Sequence, residues 1–419
     1  MINKLLTLVF LFGIQPIFAQ QISLDSCVAA AERNWPSFKK EISISQKRDL
    51  IEQTLKKNYL PKINLSGQLS YQSEVITFPE VQLMPDFFAI LPQDNYSVGA
   101  NISQTIWDGG ITSTAKDIQM AQNNVEAQQL NVETYGLIGK INKLYVSYLF
   151  LKKSEKIINI SEGEIDENIQ SIASAVKNGV ITSSELNNIE AEKLKLQKQQ
   201  IEIQSSISLV LSSLSMITGL QLDTNYKFEL PTSADIANKG IRPEIELLNA
   251  QKKLSMASTS QYKTSRMPKF VAFGNVGYGR PGYDMLNTDM HGYYMIGAKF
   301  TWDVWDWNAS KNNEEKVKLQ TLIIEDNISS MEKQIAIEEN EFLQEMDRYT
   351  KLIKLDEDIE LLKESVYKNA QSKMKNGSLT STEYLKIFNE WKRSKLSTEL
   401  DRINLIKSNI NYKHSLGLK

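Results

Sequence analysis

The sequence predicts a mixed α/β fold in which a few amphipathic strands alternate with very long helical hairpins, the whole written twice. Three observations carry this. Stretches at about 62–78, 95–106 and 292–304 alternate apolar and polar residues with a period of two, and a fourth at about 268–280 is glycine-rich and alternates less cleanly. From Asn308 to Asn376, 69 residues (376 − 308 + 1) contain no glycine or proline, roughly 100 Å of helix at ~1.5 Å each. The turn "VKNGVITSSELN", Val176 to Asn187, returns as "MKNGSLTSTEYL", Met374 to Leu385, its Asn-Gly pairs 198 apart (376 − 178).

In chain order, residues 1–19 come first. Lys4, an apolar run from Leu5 to Ile14 and Ala19 before Gln20 make a secretory signal peptide, cut after Ala19. Ile17 is large for its place before the cut, and the alternative is an uncleaved anchor helix, for which the apolar run is short. Cys27, the sole cysteine, cannot form an internal disulfide and reads as a small apolar residue on a helix. A net charge of −2 leaves no basic surface for nucleic acid. Mean hydropathy is −0.33, too polar for a chain with many membrane helices. Beyond the leader no apolar run approaches the length of a span, so a membrane form of this chain is a β-barrel.

Two repeats follow, 20–219 and 240–419, joined by a linker at 220–239. Each reads as helix, two strands and a helical hairpin, the hairpins at 111–218 and 308–416. "YSVGANISQTIWDGG" (Tyr96 to Gly110) matches "YMIGAKFTWDVWDWN" (Tyr294 to Asn308) at the offset of 198 (294 − 96), as Gly219 matches Gly417. Upstream, Pro36 with Pro243 and Pro61 with Pro268 are 207 apart (268 − 61), so the copies differ by one loop of nine residues (207 − 198). Within "KINLSGQLSYQS", Ile63, Leu65, Leu69 and Tyr71 share one face, and Asn64, Ser66, Gln68, Ser70 and Gln72 the other. About ten such residues cross a bilayer when tilted. In the long helix, Ile324, Ile328, Met331, Ile335, Phe342, Met346, Tyr349 and Ile353 lay a narrow apolar seam. Such hairpins need neighbours. Four strands also leave two open edges, which lipid does not tolerate. Two chains would supply 8 strands and three would supply 12; the strand count alone leaves both open.

The segments "ISQTIWDGGITSTAKDIQMA" and "KFTWDVWDWNASKNNEEKVKLQ", the two Asn-Gly turns, and the "TGL" and "LGL" endings resemble the TolC family of outer-membrane efflux proteins, across essentially the whole mature chain. The resemblance implies a homotrimer with a 12-stranded outer-membrane β-barrel, four strands per protomer, continuous with a long α-helical coiled-coil periplasmic tunnel. It implies the exit duct of a tripartite efflux or type I secretion system. Its partners would be a periplasmic adaptor protein, an inner-membrane transporter and outer-membrane lipid, in the cell outer membrane of a Gram-negative bacterium. The rival readings are a passive outer-membrane channel without a pump and a soluble periplasmic coiled-coil scaffold. No enzyme and no cofactor is expected.

On the same resemblance the two turns are periplasmic tips. Asn178, Gly179, Val180, Asn376, Gly377 and Ser378 are the adaptor-docking candidates. Family members narrow the tunnel mouth with acids six and nine residues past the second tip glycine. Those positions hold Glu383 and Lys386 here, and Glu185 and Asn188 in the first repeat. One acid is kept and one has become a cation. Glu383 and Lys386, three apart on a helix, could form an ion-pair lock or a solvated pair.

Other motifs carry less. "GYGRPG", Gly277 to Gly282, has a dinucleotide-binding spacing but leads through Pro281 toward another strand rather than a helix N-terminus. His291 and His414, the only histidines, have no cysteines nearby for a zinc site. Trp302, Trp305 and Trp307 in "WDVWDWN" read as an aromatic girdle at a membrane interface rather than a ligand cage.

Overall fold

The computed structural model describes residues 21–75, 92–179, 182–224, 226–231, 239–285 and 287–418. The leader at 1–19, the strand expectation at 76–78, Val180 and most of the linker beyond Pro231 lie outside the described residues. The chain forms two compact units that cut across the repeats. One comprises Lys40–Gln129 and Glu244–Met331; the other holds the remainder.

The first unit, which also holds most of helices α2 (Pro36–Lys56) and α5 (Pro243–Thr264), is built on a four-stranded antiparallel sheet: β2 (Lys62–Tyr71), β3 (Asp94–Trp107), β5 (Lys269–Arg280) and β6 (His291–Thr301), in the order β2-β3-β5-β6. Both hairpins keep one register: Lys62 faces Ser103, and Lys269 (62 + 207) faces Thr301 (103 + 198). Period two then sorts the side chains by face. The apolar face carries Ile63, Leu65, Val98, Ile102, Tyr278, Tyr294, Ile296 and Phe300, and it is open: Leu65 is 84% and Ile296 81% exposed. The opposite face carries Asn64, Ser66, Gln68, Asn101, Asn275 and Lys299. Among the described residues, β2 and β6 are the sheet's unpaired edges.

Strand turns into helix through one device used twice. Asp108 accepts from the backbone N–H of Gly110 (2.9 Å) and Thr112 (2.7 Å), starting helix α3 (Ile111–Lys177). Asp306 accepts from Ser310 N–H (2.9 Å), starting α6 (Ala309–Lys375). The residues after each aspartate take left-handed backbone: Gly109 and Gly110, then Trp307 and Asn308. Gly109 has no alternative, because a Cβ there would stand 2.5 Å from Met267 Cβ. Trp307 is 83% exposed and meets no such wall.

The expected strand at 292–304 stops at Thr301, since beyond it β5 offers no partner residue. Trp302 still repeats the bond of its counterpart: its indole N–H donates to Arg266 O (3.0 Å), as Gln104 donates to Tyr59 O (3.3 Å).

The second unit packs the parts of α3 from Leu130 and of α6 from Glu332 with α1 (Leu24–Asn34), α4 (Ser183–Thr218) and α7 (Ser381–Ser415). One core joins Cys27 and Ala31 to Ile141, Tyr145 and Tyr148 of α3, Ile207, Leu211 and Leu214 of α4, and Ile403 and Ile410 of α7. Burial pushes the Cys27 thiol up to about 12, so it is an apolar core atom. The linker holds an element that two residues of sequence could not announce: β4 (Lys227–Phe228) pairs in parallel with β1 (Gln21–Ile22). Tyr145 OH sits between the carbonyls of Ile22 (2.8 Å) and Glu229 (2.7 Å) and fastens that pair to α3. Helix α4 contains an 18-residue stretch of mean hydropathy 1.3, apolar enough by composition to span a membrane, against the expectation of none. Its Ile207, Leu211 and Leu214 face this core, and serines dilute the rest.

Candidate functional site: the helical tips

Both tips are helix stops imposed by glycine. Gly377 takes a positive φ of 67°. Its N–H reaches Met374 O (3.0 Å) and Ser378 N–H reaches Lys373 O (2.9 Å), so the last carbonyls of α6 are satisfied by a Schellman turn. Gly179 (φ 72°) repeats the inner bond, N–H to Val176 O at 2.9 Å, with open space around its missing Cβ. Asn178 and Asn376 close the preceding turns onto Ser174 O and Ser372 O.

The four gate candidates divide into two pairs with different work. Glu383 closes a capping box: its N–H donates to Thr380 Oγ1, and its carboxylate accepts from Thr380 N–H (3.3 Å) and hydroxyl (3.0 Å). The contacts of its carboxylate are with Thr380, at the start of its own helix. Lys386 instead lies near Glu390, whose carboxyl is held low first by its bond to Lys363 (2.7 Å) and further by the Lys386 charge. Glu185 and Asn188 of α4 converge on the other hairpin. Glu185 accepts from Ser381 N–H (2.5 Å), and Asn188 Nδ2 donates to Ser381 Oγ (3.3 Å). Ser381 is fully buried at the first turn of α7, where free N–H groups and the helix dipole favour a carboxylate. Thr182, which starts α4, makes no side-chain cap.

Behind the tips lies a cluster that the sequence did not disclose. Tyr367 stacks on Trp391 (ring centroids 4.4 Å apart) and touches Phe388, with Tyr384, Ile165, Ile172 and Ile189 around them. A chain of hydrogen bonds runs through it: Tyr367 OH to Glu164 (2.6 Å), Tyr384 OH to Tyr367 OH (3.4 Å), Asn168 Nδ2 to Tyr384 OH (2.6 Å). Glu192 and Lys392 form a buried ion pair at 3.6 Å. Burial lowers the Lys392 pKa and Glu192 opposes that shift. Partners about two hundred residues apart leave no local spacing to find. The only signal was the aromatic content of "EYLKIFNEW" at helical intervals.

The remaining motifs settle as structure. The glycines at 277–282 end β5 and lead to β6, with no helix N-terminus for a phosphate. His291 lies by Asp289 O (3.0 Å), and His414 stacks on Tyr135 (3.9 Å). No cluster of metal-ligating side chains occurs among the described residues.

Two strand pairs with an open apolar face, each running into a helical hairpin that turns at Asn-Gly, define a class of fold. No family model and no curated protein sequence matches the chain. Solved structures do. The outer membrane protein VceC of Vibrio cholerae superposes with a TM-score of 0.73 over 94% of this chain and 96% of its own, at 13% identity. The CmeC outer membrane channel of Campylobacter jejuni gives 0.72 at 15% identity, covering 94% and 85%. The MtrE outer membrane channel of Neisseria gonorrhoeae, in its open state, gives 0.69 at 13%, covering 94% and 89%. The chain has the fold of these outer-membrane proteins, which is the fold that its resemblance in turn, strand and ending motifs implied.

Proposed function

We propose that this protein is the outer-membrane exit duct of a tripartite efflux or type I secretion system. It works as a homotrimer in outer-membrane lipid, receives substrate from an inner-membrane transporter through a periplasmic adaptor, and catalyses nothing. The observation that carries the reading is the sheet. An apolar face this exposed, on four strands with two unpaired edges, is suited to lipid and to closure with further copies, and to little else. Three protomers give a barrel of twelve strands. A soluble periplasmic scaffold has no use for such a face, and extraction from membranes by salt alone would favour it.

The tips are the reading's adaptor-docking site and gate. Asn178, Gly179, Asn376, Gly377 and Ser378 are the docking residues, with Val180 beside them in sequence. Drawing the hairpins apart must break the contacts of Glu185 and Asn188 with Ser381, so these residues hold the closed state. The test is photocrosslinking from positions 178, 179, 376 and 377 in whole cells. Recovery of a periplasmic adaptor supports the duct. A stable outer-membrane channel that captures no adaptor from any of these positions points to a passive pore.

A further inference from the structure

The repeat carries information about residues that no single chain brings together. Because both hairpins obey one register under the offsets 198 and 207, the pairing between them can be carried over as well. β3 pairs with β5, placing Ile102 opposite Gly274, Asn101 opposite Asn275 and Ala100 opposite Val276. The equivalent of β3 is β6, and the equivalent of β5 is β2. Within one chain these two are the outer edges, so they can meet only between copies.

Resting on the trimer reading above, we propose that β6 pairs antiparallel with β2 of a second copy in the register inherited from β3 and β5. Phe300 (102 + 198) then stands opposite the partner's Gly67 (274 − 207), Lys299 opposite the partner's Gln68, and Ala298 opposite the partner's Leu69. Three observations on different residues agree with it.

The first is parity. Even residues of β6 and odd residues of β2 lie on the apolar face, and the inherited register pairs even with odd, so the apolar face continues unbroken into the next copy. A slip of one residue would bury Gln68 in lipid and turn Leu69 into the lumen.

The second is strand length. β3 extends to Trp107 because Gln104, Thr105 and Trp107 pair with Ala272, Val271 and Phe270 of β5, beyond where β2 ends. The equivalent residues, Trp302, Asp303 and Trp305, belong to no strand. The inherited register supplies what they lack: the partner's Leu65, Asn64 and Ile63. β6 would lengthen by four residues to Trp305, with Val304 at the bulge that Ile106 occupies in β3.

The third is the glycine. Gly274 lies between Ile102 and Ile296 on adjacent strands, so large side chains cover the gap that it leaves. Gly67 has Val98 on one side only, and a Cβ there would meet nothing closer than Ser97 O at 3.7 Å. Phe300, half exposed and leaning on Phe270, is the side chain the register sends to cover it from the other side. The copy ends at the turn: Trp307 replaces Gly109, whose site against Met267 admits no Cβ.

Paired cysteines test the register, because opposed residues on antiparallel strands fall within disulfide reach. The sole native cysteine is buried in the other unit and stays in place. Lys299→Cys combined with Gln68→Cys in the full chain, oxidised in membranes, should give disulfide-linked dimers and trimers on a denaturing gel. Each single variant should give none, and the slipped combinations with Ser66→Cys or Ser70→Cys should give severalfold less. Ala298→Cys with Leu69→Cys repeats the test on the lipid face if the first pair does not assemble. Strongest linkage in a slipped combination would overturn the register and leave the trimer standing. A native mass of three protomers with no linkage in any combination would show that other edges meet. A native mass of one protomer would remove the trimer reading and this inference together.

Discussion

Helices α4 and α7 hold equivalent places in the two repeats yet bury different faces. Tyr384, Phe388 and Trp391 of α7 are enclosed by the tip cluster. Their counterparts 198 residues earlier are Leu186, Glu190 and Lys193, none of them buried. The reverse holds on another face. Leu194, Ile201, Leu209 and Met216 stand exposed along α4, and the same positions of α7 hold Lys392, Glu399, Lys407 and His414. Three of these four are engaged: Lys392 with Glu192, Glu399 with Arg402, His414 with Tyr135. The repeat therefore preserves backbone events, the glycine stop and the strand-to-helix aspartate, and lets the side faces diverge. α7 is settled inside its own protomer. α4 presents an apolar stripe that, in the proposed trimer, belongs against the next copy.

The strongest way to break this comparison is to remove matched side chains. Phe388→Ala should cost about 3–5 kcal/mol through the cavity left in the tip cluster. Glu190→Ala, its counterpart, should stay within about 0.5 kcal/mol. Thermal unfolding followed by tryptophan fluorescence measures both, and equal losses would mean that α7 is no more enclosed than α4.

Alkaline pH comes next. Burial raises the Tyr384 hydroxyl to about 12 and raises Tyr367 as well, the latter aided by Tyr384 and Glu164. An unfolded tyrosine ionises near 10, so the folded state holds more protons above that point. The stability these residues give is complete below about pH 10 and falls as pH climbs toward 12, by about 2–3 kcal/mol for Tyr384. Lys392, lowered by burial, acts in the opposite sense and softens the fall. Melting temperatures across this range should decline more steeply in the parent than in Tyr384→Phe; identical slopes would mean that the hydroxyl is not buried.

A smaller effect should separate the two equivalent glutamates. Glu185→Ala removes a charge-assisted bond across the hairpins, about 1.5–3 kcal/mol, and should raise leak conductance in planar bilayers. Glu383→Ala removes a cap within one helix, about 1 kcal/mol, and should lower stability with little added leak. Equal leaks would assign both residues to the same task.

The smallest change is expected for Lys386→Glu. With the Glu383 carboxylate engaged by Thr380, the leak should rise less than twofold. Any rise should be larger at low salt, where exposed charges are least screened. A leak exceeding that of Glu185→Ala would return Lys386 to the gate.

How much of this was legible follows from the range of each interaction. Strands announce themselves within ten residues by alternation, and the tips by a glycine that must adopt positive φ, so both could be read from the letters. Glu185 and Glu383 could be located but not told apart. Which helix a carboxylate caps depends on what lies beside it, and Ser381 is 196 residues from Glu185. The Glu164–Tyr367–Tyr384 network and the β1–β4 pair stayed hidden for the same reason. Past Thr301 the alternation continues while pairing within the chain does not, so the letters alone do not give the end of β6 in a single chain.

The closures that hold the helical unit have a consequence in time. Ile22 O receives Tyr145 OH across 123 residues, and β1 waits for β4 some two hundred residues on. Tyr135 and His414 join across 279 residues, almost at the far end of the chain. Contacts of such sequence separation are slow to form, because loop-closure entropy must be met before they reward it. Nearly everything must therefore have emerged before this unit can close. Until then the chain spends an interval with α4's apolar stripe and both strand edges bare. The slowest step in closing this unit should therefore depend on the segment around His414.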